Sequence, residues 1–258
     1  MSDQITGTSG FKAEPWNAKH WAYEASYDAP DKVVVENVDL RPFTSPRHNQ
    51  RVTNTCVAQS VVKALEIKRI QMYGHEAHVD LSVLAVYYLA RELQFPPQTH
   101  ADDGTYVSHA CDVLRRFGVP PESAWPFLME KVNMSPSWMA MRKAFTHKIE
   151  AFYRIRSTGQ ERVERVRQAI RAGNPVVYGT EIGPNWFGYK AGDVLKEADK
   201  VTGRHATVLL GTKDGLFIGE NSWGNGWGDD GFYLMDPSVI AGDQPHDFWV
   251  IQAPWEDE

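Results

Sequence analysis

Apolar residues recur at Val57, Val61, Ala64, Leu65 and Ile67, with Lys63, Glu66, Lys68 and Arg69 between them. A period near 3.6 predicts a helix with one buried and one solvated face. The polar, turn-rich run from Asn49 to Thr55 marks its start, with Thr55 or Asn54 as cap, and Gly74 marks its end. Asp80-Leu81-Ser82 opens a second predicted helix over 83–93, closed by Pro96-Pro97. The turn Asp102-Asp103-Gly104-Thr105 leads into a third over 106–117, stopped by Gly118. Trp125-Pro126-Phe127 reads as a loop anchor, and a short helix is predicted over 137–146.

Beyond residue 148 the pattern changes. Strands are predicted over 149–155 and 176–178, separated by an amphipathic helix over 161–172 that Gly173-Asn174-Pro175 ends. Residues 183–203 are Gly-rich and aromatic and read as a long surface loop. Runs 205–211 and 216–220 flank Lys213-Asp214-Gly215, a hairpin signal, and 232–235 and 248–251 add two strands. A helical half followed by a mostly antiparallel half predicts an α+β protein of two lobes. The expected division is an N-terminal arm over 1–37 and a domain over 38–258, its helical lobe spanning 38–147 and its β lobe 148–252. The arm carries Phe11, Trp16, Trp21, Tyr23 and Tyr27, interrupted by Pro15 and Pro30. It either packs on the body or covers a groove and regulates access. Val33-Val34-Val35 and Val38-Asp39-Leu40 look extended.

Composition narrows the class. The chain has 258 residues, 42% apolar and 12% aromatic, enough for a substantial core. Net charge is −6 with no Lys/Arg-rich block, which argues against a nucleic-acid partner. No apolar run is long enough to span a bilayer, and no secretory signal is visible, so a cytoplasmic location and no membrane are expected. The two cysteines, Cys56 and Cys111, are read as reduced; Cys111 lies on an apolar helical face and reads as a buried small residue.

Cys56 falls at the predicted N-terminus of the first helix, where unpaired N–H groups favour a thiolate. His205 starts one hairpin strand and Asn221 follows the other, so a tight hairpin brings them together. An Asn carbonyl accepting a ring N–H would fix the imidazole and aim its other nitrogen at a thiol. Alone, either residue reads as a satisfied strand-end or turn side chain.

The surrounding text changes that balance. Asn221-Ser222-Trp223-Gly224-Asn225-Gly226-Trp227-Gly228 resembles the asparagine-containing signature of papain-family cysteine peptidases, and Gly203-Arg204-His205-Ala206 resembles the family's histidine signature. Gln50, six positions before Cys56, matches the family's oxyanion-hole glutamine. The order Gln, Cys, His, Asn is the family's order. Cys56 and His205 are 149 positions apart (205 − 56), inside the separation of roughly 130–150 described for such enzymes; Asn221 lies somewhat beyond it. The resemblance covers about 38–251. It implies a helical lobe carrying the cysteine, a β-barrel-like lobe carrying His205 and Asn221, and an active-site cleft between them. It further implies that Trp223 shields the His205–Asn221 bond and that Gly104, beside Asp103, aligns with the glycine stretch that pairs with an extended substrate.

There are departures. Thr53-Asn54-Thr55-Cys56-Val57 stands where the family usually has Cys-Gly-Ser-Cys-Trp, so a disulfide cysteine and an aromatic are both replaced. Arg204 is an unusual neighbour whose charge is expected to lower the His205 pKa. His75-Glu76-Ala77-His78 is not a zinc-protease motif, because the histidines are spaced wrongly. Asp229-Asp230-Gly231 lacks calcium-loop spacing. No metal or cofactor is expected. Asp102 and Asp103 either cap a helix or bias the cleft toward basic substrate residues. The resemblance implies a thiol endopeptidase acting on a protein or peptide. Its rivals are an acyl transferase or ligase using the same site, and a silent peptide-binding module. Substrate identity and oligomeric state are not legible.

Overall fold

The structure, a computed structural model, describes residues 10–15, 17–26 and 37–253. Trp16, Tyr27, Pro30 and the Val33-Val34-Val35 run lie outside them. In chain order the elements are α1 (Tyr23–Ser26), β1 (Val38–Asp39), α2 (Cys56–Tyr73), α3 (Val83–Glu92), α4 (Val107–Arg116), α5 (Trp138–Met141), β2 (Ala151–Ile155), α6 (Gly159–Arg171), β3 (Val176–Ile182), α7 (Pro184–Phe187), β4 (Val194–Leu195), β5 (Gly203–Lys213), β6 (Leu216–Glu220), β7 (Phe232–Met235), α8 (Pro237–Ala241) and β8 (Pro245–Gln252). The helical half precedes the β half, as the pattern of apolar positions requires. The strands form one sheet in the order β2-β8-β3-β5-β6-β7-β4, with β1 paired to β5. It is open rather than closed into a barrel. Only β4 pairs in parallel, against β7, and it lies inside the stretch 183–203 that reads as loop.

The first helix forms where the period placed it, but its surroundings differ. From Cys56 to Ile67 every residue of α2 is buried, Lys63 and Glu66 included. The helix runs between α3 and α4 on one side and β5 on the other, so its polar face meets protein instead of water. Those charges survive burial by pairing. Lys63 Nζ donates to the Ser45 and Pro46 carbonyls and lies 3.9 Å from Glu66 and 3.3 Å from Glu220. Glu66 accepts from the Leu81 N–H and Ser45 Oγ and meets His48 Nε2 at 3.0 Å. These partners hold its carboxyl down to about 2 despite burial, with the neighbouring His48 the largest favourable influence. Glu66, His78 and Asp80 bring donor atoms within 4.8 Å of one another. The Glu66 oxygens are committed to Leu81, Ser45 and His48, and His78 pairs with Asp80 at 2.9 Å.

Helix ends follow the sequence in part. Gly74, at φ +77°, ends α2, and Ser82 caps α3 by accepting from the Ala85 N–H. Neither expected cap forms at α2: Thr55 occupies the position without a side-chain cap bond, and the Asn54 side chain donates to the Asp102 carbonyl.

The hairpin of β5 and β6 positions the two back-half residues. His205 pairs with Thr180 of β3, near the start of β5. Val208 is opposite Glu220, the last residue of β6, so Asn221 emerges beside the turn of β5 that carries His205.

Candidate active site

Cys56 is the first residue of α2 and is wholly buried. Its Sγ has the Ala206 and Val57 backbone N–H groups as polar neighbours, and Ala206 follows His205 directly. This is the junction the sequence anticipates, a sulfur from the helical half beside the histidine strand. His205 Nε2 meets Asn221 Oδ1 at 2.7 Å, which leaves Nδ1 as the nitrogen for a thiol. The Asn221 Oδ1 also accepts from the Ser222 N–H at 2.8 Å. Trp223 lies against the imidazole, ring centroids 4.9 Å apart, and Trp186 closes the other edge at 5.9 Å. The His205–Asn221 bond is therefore enclosed in aromatic surface.

Gln50 is fully buried. Its Nε2 donates to the Thr53 carbonyl at 2.9 Å and its Oε1 accepts from Ser222 Oγ at 2.7 Å. The amide orientation is thus fixed, with nitrogen toward the loop that enters α2. Ser222 was not singled out from the sequence, although it stands between Asn221 and Trp223 in the motif. The loop before Cys56 is braced from the helical side, because the Asn54 N–H donates to both Asp102 oxygens. Tyr87 Oη donates to Asp102 and accepts from the Gly104 N–H. Asp102 therefore serves the cysteine loop, and Asp103 is the exposed carboxylate facing the groove.

A segment of the chain itself lies in that groove. The Lys12 N–H donates to the Thr105 carbonyl at 3.1 Å, and the Thr105 N–H to the Gly10 carbonyl at 3.0 Å. Phe11 and Thr105 form a parallel bridge. The pairing residue is Thr105, one beyond Gly104. Gly104, at φ +76°, makes room, since a Cβ there would lie 2.3 Å from the Gly10 oxygen. Gly10 sits on the cysteine: a Cβ on it would lie 2.8 Å from Cys56 Sγ. The Phe11 ring fills space left by Gly179 of β3, where a Cβ would meet the ring at 2.1 Å. Lys12 Nζ donates to Gln94 Oε1 at 3.0 Å, with Asp103 nearby. Past the groove, the Glu14 N–H donates to Asp247 Oδ2, Ser108 Oγ donates to Glu14 Oε1, and Arg154 pairs with Asp247. Phe11 was visible in the sequence only as one aromatic of the arm, and nothing there singled out Gly179 or Thr105.

Burial sets the protonation states. It pushes the Cys56 thiol up to about 12 and the His205 imidazolium down to about 4. The covered site holds a neutral thiol and a neutral imidazole. Arg204 is not the cause: its guanidinium points away, 3.7 Å from Glu181 and half exposed. Cys56 and Cys111 are both free.

With this geometry in place, comparison with known proteins is direct. The profile of the papain family cysteine proteases matches residues 34–256. An uncharacterized peptidase C1-like protein of Acanthamoeba polyphaga mimivirus is 26% identical over 238 residues, covering 86% of this chain and 76% of its own. Pro-cathepsin H of Mus musculus is 33% identical over 76 residues, 27% of this chain and 23% of its own. The crystal structure of xylellain, a cysteine protease from Xylella fastidiosa, superposes with a TM-score of 0.83 at 23% identity, covering 98% of both chains. Procathepsin L 3 of the Tenebrio molitor larval midgut gives 0.68 at 15% identity, over 97% of this chain and 76% of its own. The family profile spans most of the sequence, and this chain belongs to the papain family of cysteine proteases.

Proposed function

We propose that this protein hydrolyses peptide bonds through a Cys56 acyl-enzyme and that the segment 10–14 holds it latent. The observation that carries the reading is the extended backbone of Gly10–Lys12, bound along Thr105 with Gly10 against Cys56. A groove that accepts one peptide backbone over a thiol accepts another. When the segment leaves and water enters, the desolvation that keeps the pair neutral falls, and proton transfer from sulfur to His205 Nδ1 becomes favourable. The thiolate attacks the scissile carbonyl. The Cys56 N–H and the Gln50 amide stabilise the oxyanion. His205 returns the proton to the leaving amine, then activates the water that cleaves the thioester. Asn221 orients His205 throughout. The segment runs parallel to Thr105.

The test is product mass. A peptide incubated with the protein should give two fragments whose masses sum to that of the peptide plus one water. An amine adduct in place of the water product would instead favour the transferase reading. Unchanged peptide, together with no labelling of Cys56 by a thiol-directed electrophile, would leave a silent binding module.

The anchor of the segment makes latency depend on pH. Burial raises the Glu14 carboxyl to about 7, and burial lowers His20, 3.6 Å away, to about 4. Docked, both groups are neutral between about pH 4 and about pH 7. The Glu14 share of docking stability is complete below its free value, near 4.5, and is lost as pH rises toward 7. The His20 share runs the other way, complete above 6.5 and lost as pH falls toward 4. Glu14→Gln removes the first dependence alone. At pH 8 it should dock more tightly and slow Cys56 alkylation about tenfold or more relative to the parent, with no difference near pH 4.5. Equal rates at pH 8 would rule out Glu14 as the alkaline release group.

A further inference from the structure

Behind the His205–Asn221 pair lies a small cavity between α2 and the β5/β6 hairpin. It measures about 10 Å³, the room one water requires. His48, Gln59, Ser60, Lys63, Glu220 and Asn221 line it. Three of these carry unmet hydrogen-bonding capacity among the described residues: His48 at Nδ1, Glu220 and Asn221. Glu220 is 3% exposed, and neither carboxylate oxygen has a hydrogen-bond partner. Asn221 is 2% exposed, and its Nδ2 has no acceptor. A buried carboxylate and a buried amide donor, adjacent in sequence and lining one water-sized cavity, are a matched acceptor and donor.

We propose that Glu220 is a positioning residue for the active site: one buried water joins its carboxylate to Asn221 Nδ2 and polarises the amide toward His205. The inference rests on the Cys56–His205–Asn221 reading above. Oδ1 of Asn221 already accepts from His205 Nε2 and the Ser222 N–H. Negative charge relayed to Nδ2 makes that oxygen a stronger acceptor, and it favours the imidazolium that forms when the thiol gives up its proton. Other charges face the same region. Lys63 lies 3.3 Å and Arg47 3.6 Å from Glu220 Oε1, and His48, on the cavity wall, pairs with Glu66. On the far side Cys56 lies beside the Ala206 N–H, next to His205, and the Arg204–Glu181 pair lies outside. Lys63 and Arg47 set opposite charge beside the buried Glu220; the water carries its effect to the amide.

The experiment uses the full chain, so that the covering segment is common to every sample. Glu220→Gln keeps volume and removes charge. It should lower kcat about tenfold with KM unchanged, and move the alkaline limb of the kcat–pH profile to lower pH. Glu220→Asp, which can reach the same water, should recover most of the loss. A merely structural role would lower the melting temperature and leave the profile in place. An active parent with an unchanged Glu220→Gln profile would overturn the inference. A high-resolution crystal structure of the parent gives a readout independent of activity and of variant folding. Water density within hydrogen-bond distance of both Glu220 and Asn221 Nδ2 supports the inference, and density for no such water overturns it. A parent without peptidase activity that still holds this water defeats the hydrolytic reading and leaves the arrangement standing as structure.

Discussion

Cys56→Ala should abolish peptide hydrolysis, a fall of roughly 10⁵-fold or more, while the protein still melts cooperatively. Cys56 is wholly buried at the start of α2, so losing its sulfur should cost about 1 kcal/mol of stability, too little to explain the lost activity. His205→Ala should lose comparable activity but keep the thiol. Electrophiles should then label Cys56 only at strongly alkaline pH, because nothing remains to take its proton at neutrality. Gln50→Ala is expected to cost less, about 10²–10³ in kcat, the range for one oxyanion donor. Part of that loss would come through Ser222, whose hydroxyl donates to the Gln50 amide oxygen. Hydrolysis rate and melting temperature, measured together on the three variants, separate chemistry from folding. Turnover retained in Cys56→Ala would end the thiol mechanism.

The sequence carries the site better than it carries the surroundings of the site. The meeting of His205 and Asn221 follows from a hairpin whose turn, Lys213-Asp214-Gly215, is written in local chemistry, with Asp214 and Gly215 both at positive φ. Position at a helix start likewise made Cys56 legible. What a period-3.6 pattern cannot reveal is the partner of the polar face. Lys63 and Glu66 read as solvated because charged residues usually are, yet α2 packs between α3, α4 and β5 and is buried from Cys56 to Ile67. The nearer of the two opposing charges for Lys63 comes from Glu220, 157 positions away (220 − 63), which no local rule connects. A covering arm is one of the two readings of the sequence, but the residues that seat it are illegible for the same reason. Phe11 is an ordinary aromatic until Gly179, on a strand in the other half, leaves room for its ring. The short β4 escaped because two residues in parallel pairing leave no alternation to detect.

Phe11→Ala should speed iodoacetamide labelling of Cys56 by roughly 10²–10³-fold and raise turnover in parallel. The ring is 2% exposed, seated on Gly179, and its removal takes away the largest apolar contact that holds Gly10 over the thiol. Losing a buried Phe side chain costs about 3–5 kcal/mol, and here that cost falls on docking of the segment, since the groove itself is built from other elements. Gly179→Val should act in the same direction from the opposite side, by placing a Cβ where the ring sits. The arm has a second part with a different duty. Tyr23 is completely buried in the core under β2, and Glu24 Oε1 accepts from the Arg156 and Ser157 N–H groups. Tyr23→Ala should therefore lower the melting temperature with little acceleration of labelling. Deleting all of 1–36 would mix the two effects, which is why the paired point variants decide the matter. Packing on the body and covering the groove are thus assigned to different residues of one arm. A Phe11→Ala protein that labels no faster than the parent would show that the cover is held elsewhere, or that Cys56 is reached without its release.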